Sequence, residues 1–272
     1  MKNFIKTLKV LLILFFVISC EETTNNENGN KQQAPDLPPV SSFVMDFSDF
    51  VNSKKSIEVI DTNKQNNFGT AAFQAGIWNV LITVGMAVPV LSFIESFNHE
   101  SELVEIGWWK WSYNVKINNI NYTAELNGIV ADSVTWEMYI SEENGYQDFK
   151  WYWGRGDILG TGGYWILKEN PDSKVDLLKI DWDRNPNDSI GNIRYMNIKE
   201  GDKENGGYIH YGTTLDEPFN AYYHIYNKSA NNLTEIEWNT ETKNGRIKNK
   251  SAFRDEEWHC WNTEQYNVEC EE

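Results

Sequence analysis

The 272-residue chain is poor in cysteine, proline, histidine and positive charge, with three Cys, seven Pro, four His and 24 Lys plus Arg against 40 Asp plus Glu. Three cysteines are too few for a disulfide-built scaffold, and this composition fits neither a collagen repeat nor a coiled coil. The formal charge of −16 argues against a nucleic-acid partner, because displacing phosphate counterions requires Lys and Arg. Nothing reads as a nucleophile elbow, a phosphate loop or HExxH. The glycines of Gly154-Arg155-Gly156 and Gly160-Thr161-Gly162-Gly163 lack the strand-to-helix setting that dinucleotide binding needs. What the chain has in excess is aromatic: 12 Trp, 13 Tyr and 13 Phe. That supply can fill the core of one large domain or two small ones.

Lys2, Lys6 and Lys9 precede an uninterrupted apolar run, Val10 to Ile18, which ends at Ser19 and Cys20. A basic start, a short apolar stretch and a small residue at the cut are the parts of a secretory signal peptide, too short to span a bilayer stably. Val17-Ile18-Ser19-Cys20 resembles the lipobox of bacterial lipoproteins, which implies cleavage before Cys20 and its modification with diacylglyceryl and acyl (palmitate-type) chains. More than one chain gives stable anchoring. Loss of residues 1–19 removes three Lys and no acid, leaving 21 basic against 40 acidic groups, or −19. Glu21-Glu22 resembles the acidic tag that sends Bacteroidota lipoproteins to the outer face of the outer membrane. Residues 20–42, Asn/Gln-rich and then Pro-rich, read as a flexible tether.

The remaining chain, 43–272, reads as a single β-rich domain. Ser42 to Phe50 is a short amphipathic piece expected to dock onto it. Gln65 to Ile94 is thirty residues without a formal charge. Its length raises a transmembrane helix, but Gln74, Asn79, Thr83 and Pro89, together with the lipid anchor, favour a helix over about 68–97 buried on several sides by its own protein. Pro89 is expected to kink it or to start a second short helix. From Trp108 the period becomes two: Trp109, Trp111, Tyr113, Val115 and Ile117 alternate with polar residues, as in a half-buried strand. The pattern recurs to about residue 270 between turns such as Asn118-Asn119, Glu143-Asn144-Gly145 and Lys243-Asn244-Gly245. About a dozen strands so arranged exceed what an open twisted sheet carries without curling. The expected fold is mainly β, an antiparallel meander forming a barrel or half-barrel with one long apolar helix packed against it.

Several strings carry a family resemblance: Ala87-Val88-Pro89-Val90, Trp109/Trp111 with Tyr113, Trp136-Glu137-Met138-Tyr139-Ile140, Asp148-Phe149-Lys150-Trp151 and Trp258-His259-Cys260-Trp261. With Ile180-Asp181-Trp182, Tyr211-Gly212 and Ile236-Glu237-Trp238-Asn239, they resemble an uncharacterised lipoprotein family of the Bacteroidota over about residues 68–270. The resemblance implies an envelope location and one domain, and it transfers no activity or functional residues. The order of elements also looks like that of half-barrel lipoprotein carriers, an analogy of architecture alone.

With Cys20 lipidated, Cys260 and Cys270 remain as an even pair in an exported chain, expected to form a disulfide across the turn at Asn262-Thr263-Glu264-Gln265. His210 and His224 fall on neighbouring expected strands, but a zinc site lacks a third ligand at motif spacing. Asp181 to Asp188 places oxygen donors at alternate positions yet has Pro186 where a calcium loop needs Gly, so it reads as an acidic turn. Glu125, Glu137, Asp181, Glu235 and Glu237 could supply the paired carboxylates of a glycoside hydrolase, although alternation puts most of them opposite the aromatic face. Trp151, Tyr152 and Trp153 are consecutive, as are Trp108/Trp109 and Tyr222/Tyr223, so some rings must leave the core. Trp108, Tyr152 and Tyr222 are therefore candidates for stacking on a ligand.

The expected function is that of a lipid-anchored, non-enzymatic envelope protein that binds a glycan, an apolar ligand or an envelope partner. A surface carbohydrate-active hydrolase is the alternative. Neither reading requires a cofactor, a metal or a nucleic acid.

Overall fold

In the computed structural model of the chain, residues 33–51, 66–185 and 190–271 are described. The signal peptide, Cys20, Glu21-Glu22 and the Pro186 turn lie outside these residues. The compact unit begins at Gln33, and Ala34 and Leu37 already pack against its core.

Among the described residues, fourteen strands form one antiparallel sheet in which every strand pairs with the next in sequence. They are β1 (Glu102–Glu105), β2 (Trp108–Ile117), β3 (Ile120–Val130), β4 (Val134–Glu142) and β5 (Phe149–Gly156). Then come β6 (Gly162–Lys168), β7 (Asp176–Asn185), β8 (Ile190–Asn197), β9 (Tyr208–Thr213) and β10 (Ala221–Asn227). The last are β11 (Asn232–Trp238), β12 (Gly245–Asn249), β13 (His259–Trp261) and β14 (Asn267–Val268). The helices are α1 (Asn66–Val80), continued by a π-helical turn at Leu81–Gly85, α2 (Ala87–Glu95), and a single turn α3 (Lys250–Phe253). The meander matches expectation, but β1 and β14 do not pair, so the sheet is open rather than closed into a barrel.

Turn chemistry sets the registers. Asn118 and Asn119 both adopt positive φ, 51° and 66°, the two-residue geometry that suits the right-handed twist of a hairpin. That turn aligns Ile117 with Ile120 and, nine pairs further on, Trp108 with Ile129. One face of the sheet then collects the apolar half of each alternation, as in β4, where Val134, Trp136, Met138 and Ile140 are buried. In β5 the register shifts opposite Met138/Tyr139. The extra residue of this bulge lets Trp151 and Tyr152 both be buried, against strict alternation.

Two segments cover this inner face. The first is a strap, residues 40–51, whose Phe43, Met45, Phe47 and Phe50 are buried. The second is the α1–α2 segment, whose Ala71, Ala75, Ile82, Met86, Val90 and Phe93 are buried. Pro89 stands third in α2, where its missing N–H falls among donors that have no helical partner anyway. The amide side chain of Asn67 donates to the Cys260 carbonyl in β13 at 2.8 Å, and the Tyr113 hydroxyl in β2 donates to the Ser92 carbonyl at 2.6 Å. The 25 residue steps from Asn67 to Ser92 extend at most about 38 Å as helix, and these two residues are tied to β13 and β2. Eleven strand spacings across a flat sheet would span about 53 Å. The sheet is therefore bent around the segments it carries.

Candidate functional site

The aromatic inner face is the first place to look for a cleft, and its own chain occupies it. Phe43 stacks on Phe93 with ring centroids 4.8 Å apart and meets Tyr152 and Trp165 at 4.8 and 5.6 Å. Further along the strap, Phe50 meets Trp238 edge-on at 4.9 Å and Phe68 of α1 at 5.6 Å. The strap's backbone is also tied down, as buried polar groups must be. The Tyr195 hydroxyl accepts from the Met45 amide at 2.6 Å and donates to the Phe43 carbonyl at 3.0 Å. The Tyr223 hydroxyl donates to the Asp46 carbonyl, and the Trp238 indole N–H donates to the Asp49 carboxylate at 2.7 Å. Burial raises the Tyr195 and Tyr223 hydroxyls well above the ordinary tyrosine range. The Tyr211 hydroxyl is pushed up to about 12 by burial and by the nearby carboxylates of Asp46 and Asp49.

The candidate hydrolase carboxylates lie on the opposite, outer face, each against a cation. Glu137 pairs with Lys150 at 2.6 Å, Glu237 with Arg246 at 2.6 Å and Glu235 with Lys248 at 2.7 Å. Asp181 pairs with Lys179 at 2.6 Å, and Glu125 with Lys110 at 3.9 Å. Two of these pairs are direct cross-strand partners, Glu235 with Lys248 and Glu237 with Arg246. The arrangement is a charge ladder that neutralises and solvates the sheet's outer side.

The three proposed stacking residues separate. Tyr152 is wholly buried and offers no ring to solvent, because the β5 bulge turns it inward. Trp108 is half-buried and its indole N–H donates to Asn127 at 3.0 Å. Tyr222 lies on the outer face over Gly212, where a Cβ would come within 2.3 Å of the ring. Its ring is 4.8 Å from that of His224 and 5.4 Å from that of His210. The structure does not bring the three together. Of the 12 Trp, eight (Trp109, Trp111, Trp136, Trp151, Trp165, Trp182, Trp238 and Trp261) are buried, so most of the aromatic excess is core.

His210 and His224 face each other across β9 and β10, with ring centroids 6.2 Å apart. Burial, then His224 and Arg194, lower the His210 pKa below the usual histidine range. Among the described residues no group of three His, Cys, Asp or Glu side chains could hold a metal. The Cys260 and Cys270 sulfurs form a disulfide with Cα atoms 5.2 Å apart, fastening the end of the chain to β13. His259 instead stacks on Phe253 at 3.8 Å and bonds Asp255 at 3.0 Å, away from the cystine. Part of the suspected calcium loop, residues 186–189, lies outside the described residues.

Contrary to the expectation from its charge-free run, the long helix is not buried on several sides. Its inner side packs as described, while Phe73, Ile77, Val80, Leu81 and Val84 form an exposed stripe, with Val84 70 % and Phe73 59 % accessible. Spacings of four, three, one and three residues place these side chains on one helical face. The signal was present in the thirty charge-free residues, which supply apolar groups for more than one side. A surface groove of about 560 Å³ lies elsewhere, on the outer face among Asn114, Thr123, Ser141, Glu142 and Gln147. Its polar groups partly bond one another, as Thr123 does Asn114 at 3.0 Å. Compared with protein-family models, with curated proteins and with solved structures, the chain returns no match.

Proposed function

We propose that the protein is a lipid-anchored component of the bacterial envelope whose domain works by binding rather than by catalysis. In this reading Cys20 carries the lipid, the residues after it tether the domain to the outer membrane, and Glu21-Glu22 directs it to the cell surface. The bent sheet is a half-barrel with the strap and helix as its plug. Its partner is a glycan, an apolar ligand or another envelope protein, met at the surfaces the plug leaves free. The resemblance to the Bacteroidota lipoproteins fits the same location.

One observation carries the choice of binding over hydrolysis: the face that would line a cleft is occupied by the chain itself, while the carboxylates sit ion-paired on the other face. A glycosidase needs two carboxyl groups about 5 to 10 Å apart flanking a substrate site. The test is cell fractionation with acyl labelling. Wild-type protein should incorporate labelled palmitate and sediment with membranes, and Cys20→Ala should lose the label. A glycan screen with the full chain then separates the two classes. Turnover of a glycan that disappears in both Glu137→Gln and Glu237→Gln would replace binding by hydrolysis.

A further inference from the structure

We infer that the exposed stripe of α1 and the π-turn is a membrane-docking face, which lies in the interface of the bilayer to which the lipid holds the protein. The inference rests on the anchor reading above and adds a second, non-covalent contact that orients the domain.

Three observations converge on a lipid surface as the occupant. The first is charge. Residues 65–94 contain no Asp, Glu, Lys or Arg in a chain of net charge −16. The stripe itself thus brings no ionised side chain to be desolvated at a bilayer. The second is satisfaction of polar groups. Thr83, exposed beside Val84, donates its hydroxyl to the Asn79 carbonyl at 2.7 Å, so it enters an apolar medium with its hydrogen bond already made. The backbone of the stripe is helical, which a lipid-facing segment requires. Leu91, Ile94 and Phe97, in α2 and the turn after it, are exposed as well. The third is reach. The thirteen residues from Cys20 to Gln32 extend at most about 45 Å, so the lipid holds the domain within contact distance of the surface.

The segment Asn67–Gly85 is long and apolar enough to cross a membrane, but its inner side is committed elsewhere. Ala71, Ala75 and Ile82 are buried in the core, and Asn67 is bonded to β13. A span would strip these contacts. A helix lying in the interface keeps them and buries only its outer face, about 5 to 10 Å deep.

The test uses the full-length, cell-processed protein carrying Val84→Cys or, on the outer face of the sheet, Thr123→Cys. With Cys20 lipidated and Cys260 and Cys270 bonded to each other, only the new thiol takes a nitroxide label; where mass spectrometry finds Cys20 unmodified, the measurement is made in a Cys20→Ala background. The protein is reconstituted on vesicles of phosphatidylethanolamine and phosphatidylglycerol, and collision with oxygen and with a water-soluble nickel chelate is read by spin resonance. The label at 84 should show a several-fold rise in the oxygen-to-nickel ratio at a depth of about 5 to 10 Å, with none at 123. Val84→Asp, in a Cys20→Ala background, should weaken vesicle binding about tenfold, as expected for losing one apolar side chain from lipid.

Water-like collision at 84 on protein that still floats with vesicles overturns docking and leaves the anchor standing. Lipid-like collision at 84 with Cys20 unmodified by mass spectrometry supports docking and removes the anchor. A label at the bilayer centre, about 15 Å deep, overturns docking in favour of a span. Dipolar coupling between labels with no lipid access overturns it in favour of a second copy of the chain.

Discussion

The sheet has two faces built from alternate residues of the same strands, and they do different work. The inner face holds buried aromatic side chains, a strap whose backbone is bonded to Tyr195 and Tyr223 and whose Asp49 carboxylate is bonded to Trp238, and almost no other charge. The outer face carries cross-strand ion pairs such as Glu235–Lys248 and Glu237–Arg246, with cations laid over rings, as Arg246 lies 4.3 Å from the centre of Trp258. Burial of apolar area and close packing supply most of a domain's stability, whereas exposed ion pairs contribute about 0 to 1 kcal/mol each. The comparison therefore predicts a steep asymmetry. The inner face and its strap hold the fold together, and the outer face contributes little to its stability.

Four changes probe that asymmetry in order of expected effect. Phe43→Ala, which opens a cavity among Phe93, Tyr152 and Trp165, should cost about 3 to 5 kcal/mol in urea unfolding. Cys270→Ser removes the cystine that closes a separation of ten residues and should cost about 2 to 3 kcal/mol; calorimetry under oxidising conditions reads it against wild type. Tyr195→Phe leaves the Met45 amide and the Phe43 carbonyl without their partner and should cost about 1 to 3 kcal/mol, with faster amide exchange confined to the strap. Glu237→Gln on the outer face should move stability by less than about 1 kcal/mol. If its midpoint shift equals that of Phe43→Ala, the asymmetry is wrong.

A pH titration sharpens the same contrast at a smaller scale. The His210 pKa is lowered in the folded protein by burial and by His224 and Arg194. As pH falls through the unfolded-state value near 6.5, the unfolded chain takes up a proton that the folded chain resists. Stability then declines until the folded pKa is passed. His210→Gln should flatten that shallow decline between about pH 7 and pH 5. An unchanged slope would assign it to other groups.

The strand meander was legible because alternation at period two and Asn/Gly turns are local signals. The start of β2 falls at Trp108, where the pattern puts it. The edge strand β1 was not foreseen, since Glu102-Leu103-Val104-Glu105 is exposed throughout and has no inward half to alternate. Nor is the two-residue β14 long enough to show a period. The strap read as an amphipathic piece that docks, but nothing in Phe43, Phe47 and Phe50 says that they fill the interior rather than rest on a rim. That depends on the sheet's bend, a property of all the registers together. Strict alternation makes Tyr152 a candidate for stacking, and the β5 bulge, which periodicity does not reveal, buries it. The carboxylates on alternate positions could be assigned to the outer face, but not their partners, which sit on neighbouring strands and depend on register.

The central claim is that the inner face is a core sealed by its own strap and not a cleft. Exchange of tryptophan indole protons, followed by NMR in the full chain, tests it most directly. The indole N–H of Trp238, bonded to Asp49 of the strap, and that of Trp261, bonded to the Lys243 carbonyl at 2.8 Å, should persist for hours in heavy water. The half-buried outer-face Trp258 should exchange before the first spectrum. Loss of the Trp238 signal as fast as that of Trp258 in otherwise folded protein would show that the strap opens freely, and the sealed-core account would fail.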